Sequence, residues 1–229
     1  MPAYNEAENI ENVVNQWHPI VVKMAVGGSK LLVVNDGSKD NTLEILYSLK
    51  NKYPCLEVVD KPNSGHGATV LYAYRYALEH GADYVFQTDS DGQTLPEEFW
   101  PMWEQRKEAS FHIGMRLGRQ DGVSRVLVSR ILRLVVWLVF GVWVKDANTP
   151  FRLMKTDRLA TVMKYIPEDF FLANVAVSAI AVKNKESVAW YPITFRPRQG
   201  GVNSINLRRI IRIGWKALDD LKKISRFLS

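Results

Sequence analysis

The sequence predicts an α/β fold: a mostly parallel twisted sheet flanked by helices, with C-terminal amphipathic helices. Three observations carry this. Short apolar runs at 30–34, 56–59 and 83–87 alternate with stretches of helical periodicity, the pattern of βαβ units. Polar or acidic turns follow these runs, where a parallel sheet places its ligands, beyond the carboxyl ends of the strands. Basic charge gathers at one end: from Arg196 onward nine Lys/Arg face Asp219 and Asp220, +7 in the last 34 residues of a chain whose total is +6.

The elements follow in order. The chain opens on Met1-Pro2-Ala3-Tyr4-Asn5-Glu6, with no apolar strand before it. Residues 6–25 read as a helix with Ile10, Val13, Val14, Trp17 and Val21 on one face. Lys30 to Val34 is a buried strand ending in the turn Asn35-Asp36-Gly37-Ser38, and Asp40-Asn41 starts the next helix. Residues 56–59 are a strand, 61–67 a loop and 68–79 a helix. The strand 83–87 leads into Thr88-Asp89-Ser90-Asp91-Gly92-Gln93; a helix over 96–107, with Pro96 in its first turn, and a strand over 110–114 follow. Residues 124–144 read as one long helix, basic first and apolar all round later, suited to a buried position or to a membrane interface. A strand at 151–154, helices at 157–164 and 170–183, a strand at 187–195 and a loop at 196–204 complete the domain. The last helix, 207–227, is basic and amphipathic, with Leu207, Ile210, Ile211, Trp215, Leu218 and Leu221 on one face.

At 229 residues and 47% hydrophobic, the chain is one large domain, or one domain with an appendage, and can bury a core. Cys55 is the single cysteine, so no disulfide framework exists and a reducing compartment fits. No leader peptide is visible. The longest apolar run, Leu134 to Val144, has 11 residues, against the roughly 20 that a membrane span needs. The basic end points to an anionic partner, a phosphate or acidic lipid, and no nucleic-acid motif accompanies it.

Asp89 and Asp91 are the centre of the chemistry. Two carboxylates one residue apart at a strand end can hold one divalent cation against a diphosphate, the hard-oxygen chemistry of Mg²⁺ or Mn²⁺. A plain polar turn has the same composition. What separates the two is the ordered set Pro2-Ala3-Tyr4-Asn5-Glu6, Asn35-Asp36-Gly37-Ser38, Asn63-Ser64-Gly65-His66-Gly67-Ala68 and Asp89-Ser90-Asp91-Gly92-Gln93. This set resembles the family 2 inverting glycosyltransferases, and within them the polyprenyl-phosphate sugar synthases of the dolichyl-phosphate mannose synthase kind. The likeness is close over the first 115 residues and looser beyond.

The resemblance implies a GT-A-type nucleotide-sugar-binding fold. Residues 1–204 would be the catalytic domain, with a donor half at 1–115 and an acceptor half at 116–204; 205–229 would be the basic C-terminal helix. By the same likeness Pro2, Tyr4 and Glu6 line the base and ribose pocket, and Asp36 contacts base or ribose. Gly65 and Gly67 let the backbone approach the donor, and Asp89 and Asp91 hold a divalent metal with Gln93 beside it. Arg116, Arg125 and Ser129 bind the acceptor's lipid phosphate, Arg125 and Ser129 sharing a helix face. Arg198, on a closing hairpin at 195–204, completes the clamp.

Two departures from the family stand out. The family has a buried strand running into Pro-Ala-Tyr-Asn-Glu, whereas this chain starts inside that motif; an unfilled apolar groove and weakened folding or donor binding are expected. The family's Asp-x-x-Ser-Gly-Phe-Arg reads here Asp146-Ala147-Asn148-Thr149-Pro150-Phe151-Arg152, and proline alters the turn.

The expected activity is metal-dependent, inverting transfer of one sugar from a nucleotide-sugar donor to a polyprenyl phosphate, at the cytoplasmic face of a membrane. Three alternatives stand beside it. A soluble transferase acting on a saccharide hydroxyl would need a carboxylate base, for which Asp146 and Asp169 are candidates. A sugar nucleotidyltransferase would want a Gly-rich start, unlike residues 2–6. A non-catalytic nucleotide-sugar-binding protein would not need the intact acid pair. The Gln-x-x-Arg-Trp motif of processive synthases is absent from the sequence.

Overall fold

The computed structural model describes residues 1–24, 28–117, 123–197 and 207–228, with backbone alone for 123–127 and 207–213. Pro2–Ala3 (β1), Leu31–Asp36 (β2) and Leu56–Lys61 (β3) pair in parallel in the order β1-β2-β3. Ile10–Met24 (α1), Thr42–Lys50 (α2) and His66–Glu79 (α3) are helices between and after them. Tyr84–Gln87 (β4) follows, then a 3₁₀ turn at Pro96–Glu98, Phe99–Glu104 (α4), Phe111–Arg116 (β5) and Val123–Phe140 (α5). Arg152–Lys155 (β6), Thr156–Met163 (α6), Ala173–Lys183 (α7), Val188–Ile193 (β7) and Leu207–Arg226 (α8) complete the order.

The second sheet runs β4-β6-β5-β7, and here the mostly parallel expectation is refined. β5 and β7 are parallel, but β6 is antiparallel to both β4 and β5. The chain leaves β5 at Arg116 and returns to the same end at Asp146, where the two side chains meet, so β6 starts there and runs the other way. Ser90 Oγ donates to the Pro2 carbonyl at 2.8 Å, linking β1 to the segment that leaves β4. The Met1 amino group donates to the Leu32 carbonyl, and Met1 and Ala3 are buried.

Alternation along β6 separates two cores. Leu153 faces one built on α1, α2 and α4, with Trp17, Phe86, Phe99 and Phe151 in mutual ring contact. Met154 faces the other, built on α3, α5, α6, α7 and α8. α7 is apolar all round because it is enclosed; Ala173 to Ala181 are all buried.

Three expected helices change shape. α5 stops at Phe140 rather than at 144, because Gly141 turns into the left-handed region at φ 68°. The helix expected over 96–107 is a 3₁₀ turn and a short helix ending at Glu104. α8 buries Ala217, Leu221 and Ile224, while Trp215, expected on its apolar face, is 65% exposed. Among the described residues no helix is long and apolar enough to cross a membrane.

Candidate active site

The strand ends converge on one edge. After β1, Asn5 adopts φ 53°, its amide donates to Ser38 Oγ (3.0 Å), and its side-chain oxygen accepts from the Lys39 amide (2.8 Å). The turn after β1 is thereby locked to the turn after β2. Glu6 is buried; its amide donates to Thr42 Oγ1, and its carboxylate accepts from Asn9 Nδ2 at 3.0 Å. Pro2 is buried in β1, so of the three residues implied in a base pocket Tyr4 is the exposed one.

Asp36 organises the 63–67 loop. Its carboxylate pairs with Lys61 and accepts the Ser64 and Gly65 amides at 2.9 and 3.0 Å, while its backbone carbonyl accepts Asn63 Nδ2. Burial pushes the Asp36 carboxyl up, but these donors outweigh it and hold the group below the usual carboxylate range. The carboxylate expected to reach the donor is thus occupied in shaping the loop that would surround it. The two loop glycines have different reasons. Gly65 stands in open space at φ 89°, a conformational requirement. Gly67 is a packing requirement: a Cβ there would lie 2.4 Å from the backbone of Phe170 and Phe171.

The acid pair follows β4. Asp89 Oδ1 is buried without a hydrogen-bond partner, and His66 Nε2 stands 3.8 Å from it. A buried carboxylate oxygen left without a donor in this way fits a divalent cation, whose ligand set here would be Asp89 and Asp91 with oxygens from the ligand itself. Among the described residues no cluster of three or more His, Cys, Asp or Glu could hold a metal, so the protein alone would supply few ligands. Gln93, expected beside the metal, is buried; its amide donates to the Arg196 carbonyl at 2.7 Å, and its own carbonyl accepts the Arg196 amide. It is a strut between the acid loop and the segment after β7.

A second centre lies beyond β5. Arg116 and Asp146 form a two-handed pair, Nε to Oδ2 and Nη2 to Oδ1, both at 2.8 Å. Burial pushes the Asp146 carboxyl up, yet the Arg116 hydrogen bonds and charge hold it below its ordinary value. This corrects the expectation of Asp146 as a base: a buried, ion-paired carboxylate of lowered pKa is a weak proton acceptor. It also removes much of Arg116's capacity for an external phosphate. The pair lines a cavity of about 210 Å³ with Ser129, Arg130, Arg133 and Lys145, four cations to one carboxylate. Next to it, Arg133 stacks over the Trp143 ring at 5.6 Å. Trp137, Leu134 and Leu138 of α5 are exposed, as is Trp143 just beyond it, so α5 and the turn after it show an apolar strip beside a cationic cavity.

The structure brings Arg116, Ser129 and Asp146 to this cavity. Arg125 lies in the first turns of α5, with its side chain outside the described residues, as is Arg198. Sequence reasoning missed Lys61, Arg130, Arg133 and Lys145 as site residues. The three arginine and lysine positions around α5 read as surface charge until the fold sets them round one cavity. It also gave no role to Arg152, although a cation inside the apolar run Phe151 to Met154 was a visible signal.

Comparison with known proteins bears on the fold and the family. Over 217 residues the chain is 26% identical to a UDP-N-acetylglucosamine–dolichyl-phosphate N-acetylglucosaminyltransferase of Methanococcus voltae, covering 84% of this chain and 82% of the relative. Over 215 residues it is 25% identical to the polyprenol monophosphomannose synthase of Mycolicibacterium smegmatis, covering 90% and 79%. In fold it matches the GT-A enzyme glucosyl-3-phosphoglycerate synthase of Mycobacterium tuberculosis, crystallised with Mn²⁺, UDP-glucose and phosphoglyceric acid. That likeness has a TM-score of 0.72 at 16% identity and covers 98% of this chain and 78% of that one. The model of glycosyl transferase family 2 matches residues 1–130, more than half the chain, and with the strand-end motifs it makes this protein a glycosyltransferase of that family.

Proposed function

We propose that the protein transfers one sugar, with inversion, from a nucleotide-sugar donor to a polyprenyl phosphate at a membrane surface. The cationic cavity beside the exposed apolar strip of α5 carries this reading, because it offers a charged acceptor head and its hydrocarbon tail adjoining surfaces. The names of the Methanococcus and Mycolicibacterium relatives support it. A phosphate oxygen of the acceptor attacks the anomeric carbon; the bond from that carbon to the donor diphosphate breaks as the new one forms. The attacking oxygen is already ionised, so no proton moves, and the chain's task is to position it. Arg130, Arg133 and Lys145 hold the acceptor phosphate, with Arg116 fixed among them by Asp146. Asp89 and Asp91 would hold a divalent cation, Mg²⁺ or Mn²⁺, which when bound would supply positive charge beside the donor diphosphate. Trp137 and Trp143 rest in the interface of the lipid surface, which would be the inner face of the membrane.

The test is incubation with candidate nucleotide-sugars and a short polyprenyl phosphate, with and without Mn²⁺. Metal-dependent formation of a lipid-linked sugar is expected, and Asp91→Ala abolishes it. Asp169 is exposed in the segment that packs on Gly67, and is the carboxylate a hydroxyl acceptor would use. Asp169→Asn therefore leaves lipid-phosphate transfer intact; its loss, or a product on a saccharide in place of the lipid, would overturn the reading.

A further inference from the structure

Arg152 is the largest side chain among those fully buried. It opens β6 on the same side as Met154, so it points a cation toward the core between α3 and α7, a costly place for charge. Burial lowers its pKa to about 10, so it remains charged at neutral pH. Among the described residues it has no ion pair within 4 Å. It is held instead by carbonyls, Nε to Thr149 at 2.7 Å and Nη2 to Ala147 at 3.0 Å. The Ala147 carbonyl also accepts Ser178 Oγ from α7. The fork of Arg152 therefore clamps the turn that carries Asp146 and Asn148 into the acceptor cavity.

Its third nitrogen points elsewhere. Nη1 is buried without a partner, as are Asp89 Oδ1, Gln87 Nε2 and Asn174 Oδ1. Gln87 lies opposite Arg152 in the β4–β6 register and accepts from the Tyr74 hydroxyl; Asp89 is two residues on; Asn174 is one helical turn before Ser178. Asp89 and Asp146 both lie near enough for their charges to favour the charged form of Arg152. We propose that Arg152 is a positioning residue that couples the two halves of the site: its fork fixes the 147–149 turn of the acceptor cavity, and its charge lies behind Asp89 on the donor side, offsetting part of that carboxylate's charge and so tempering its hold on the divalent ion. This rests on the reading of Asp89 as a metal ligand and of the cavity as the acceptor site.

Lysine and glutamine separate the two roles, since Lys keeps the charge without the planar fork and Gln removes the charge. Binding of Mn²⁺ alone to the full chain, read from the electron paramagnetic resonance of free Mn²⁺, needs no turnover. Arg152→Lys is expected to bind Mn²⁺ as the unaltered protein does, while its KM for polyprenyl phosphate rises roughly tenfold. Arg152→Gln should raise that KM too, and bind Mn²⁺ roughly threefold tighter or more, because a cation opposing the divalent ion is gone. A merely structural role would instead weaken both kinds of binding in both variants, in step with a fall in Tm; that result, or unchanged Mn²⁺ binding and KM in both, overturns the inference. If Arg152→Gln yields no folded protein, Arg152→Lys decides alone: a raised KM with unchanged Mn²⁺ binding supports coupling, and any other pairing overturns it. If the unaltered protein neither binds Mn²⁺ nor glycosylates the lipid, it is the proposed function that fails, which is read without any variant.

Discussion

Asp146 shows how a single side chain changes meaning once its neighbour is known. As one acid before a turn it is a natural candidate base; paired with a guanidinium 30 positions away it becomes the part that orients Arg116. Asp146→Asn leaves Arg116 buried without its counter-charge, which should cost about 3–5 kcal/mol. The pH dependence follows from the lowered carboxyl. Its folded value lies below the unfolded value near 4, so the pair's contribution is complete above about pH 4 and is lost as pH falls through the folded value. Denaturant melts between pH 2 and 7 should show this acid-side loss in the unaltered protein and a smaller one in Asp146→Asn.

Helices and loops carry the next set of consequences. The start of α3 sits directly on the backbone of Phe170 and Phe171, and those atoms cannot yield as a flexible side chain would. Gly67→Ala must lift α3 from that segment, lowering Tm and weakening donor binding together. Gly65→Ala meets open space and pays only for its backbone angles, about 1–3 kcal/mol. A calorimetric comparison should therefore find Gly67→Ala the more damaged of the two. On α5 and the turn after it the situation reverses, because Trp137 is 49% and Trp143 60% exposed and neither belongs to the core. The double change Trp137→Ser with Trp143→Ser should leave Tm nearly unchanged while reducing sedimentation with vesicles of anionic phospholipid; equal sedimentation would remove the membrane from the reading.

The molecule as a whole depends on the core, centred on a ring cluster, that its two sheets share. Phe151 is fully buried and meets Trp17 and Phe86, rings from α1 and β4. Its carbonyl also accepts the Gly114 amide of β5. Phe151→Ala should cost about 3–5 kcal/mol. Because the core that holds this ring draws on both sheets, with Val33 and Val58 from the first and Phe86 and Leu153 from the second, Trp fluorescence and far-ultraviolet circular dichroism should still report one coincident transition at lower denaturant. Two separate transitions would mean that the sheets unfold independently.

Apolar periodicity and turn chemistry were enough to locate the helices and every strand but the two-residue β1, because these are set by neighbours a few residues apart. The order of motifs was enough to point to the family. Boundaries failed where a local backbone event intervened, as at Gly141, and on α8 Trp215 was expected on the apolar face but is exposed, although Leu221 of the same stripe is buried and Leu218 packs against the core. The antiparallel insertion of β6, the Arg116–Asp146 pair, the contact that demands Gly67 and the burial of Arg152 were decided by folding. Each joins residues remote in sequence, and no spacing along the chain encodes which charges will share a cavity once loops bring the strand ends together. The acid pair could be named from the four motifs in their order along the chain; what lies beneath it, and what the cavity across from it can hold, depended on packing.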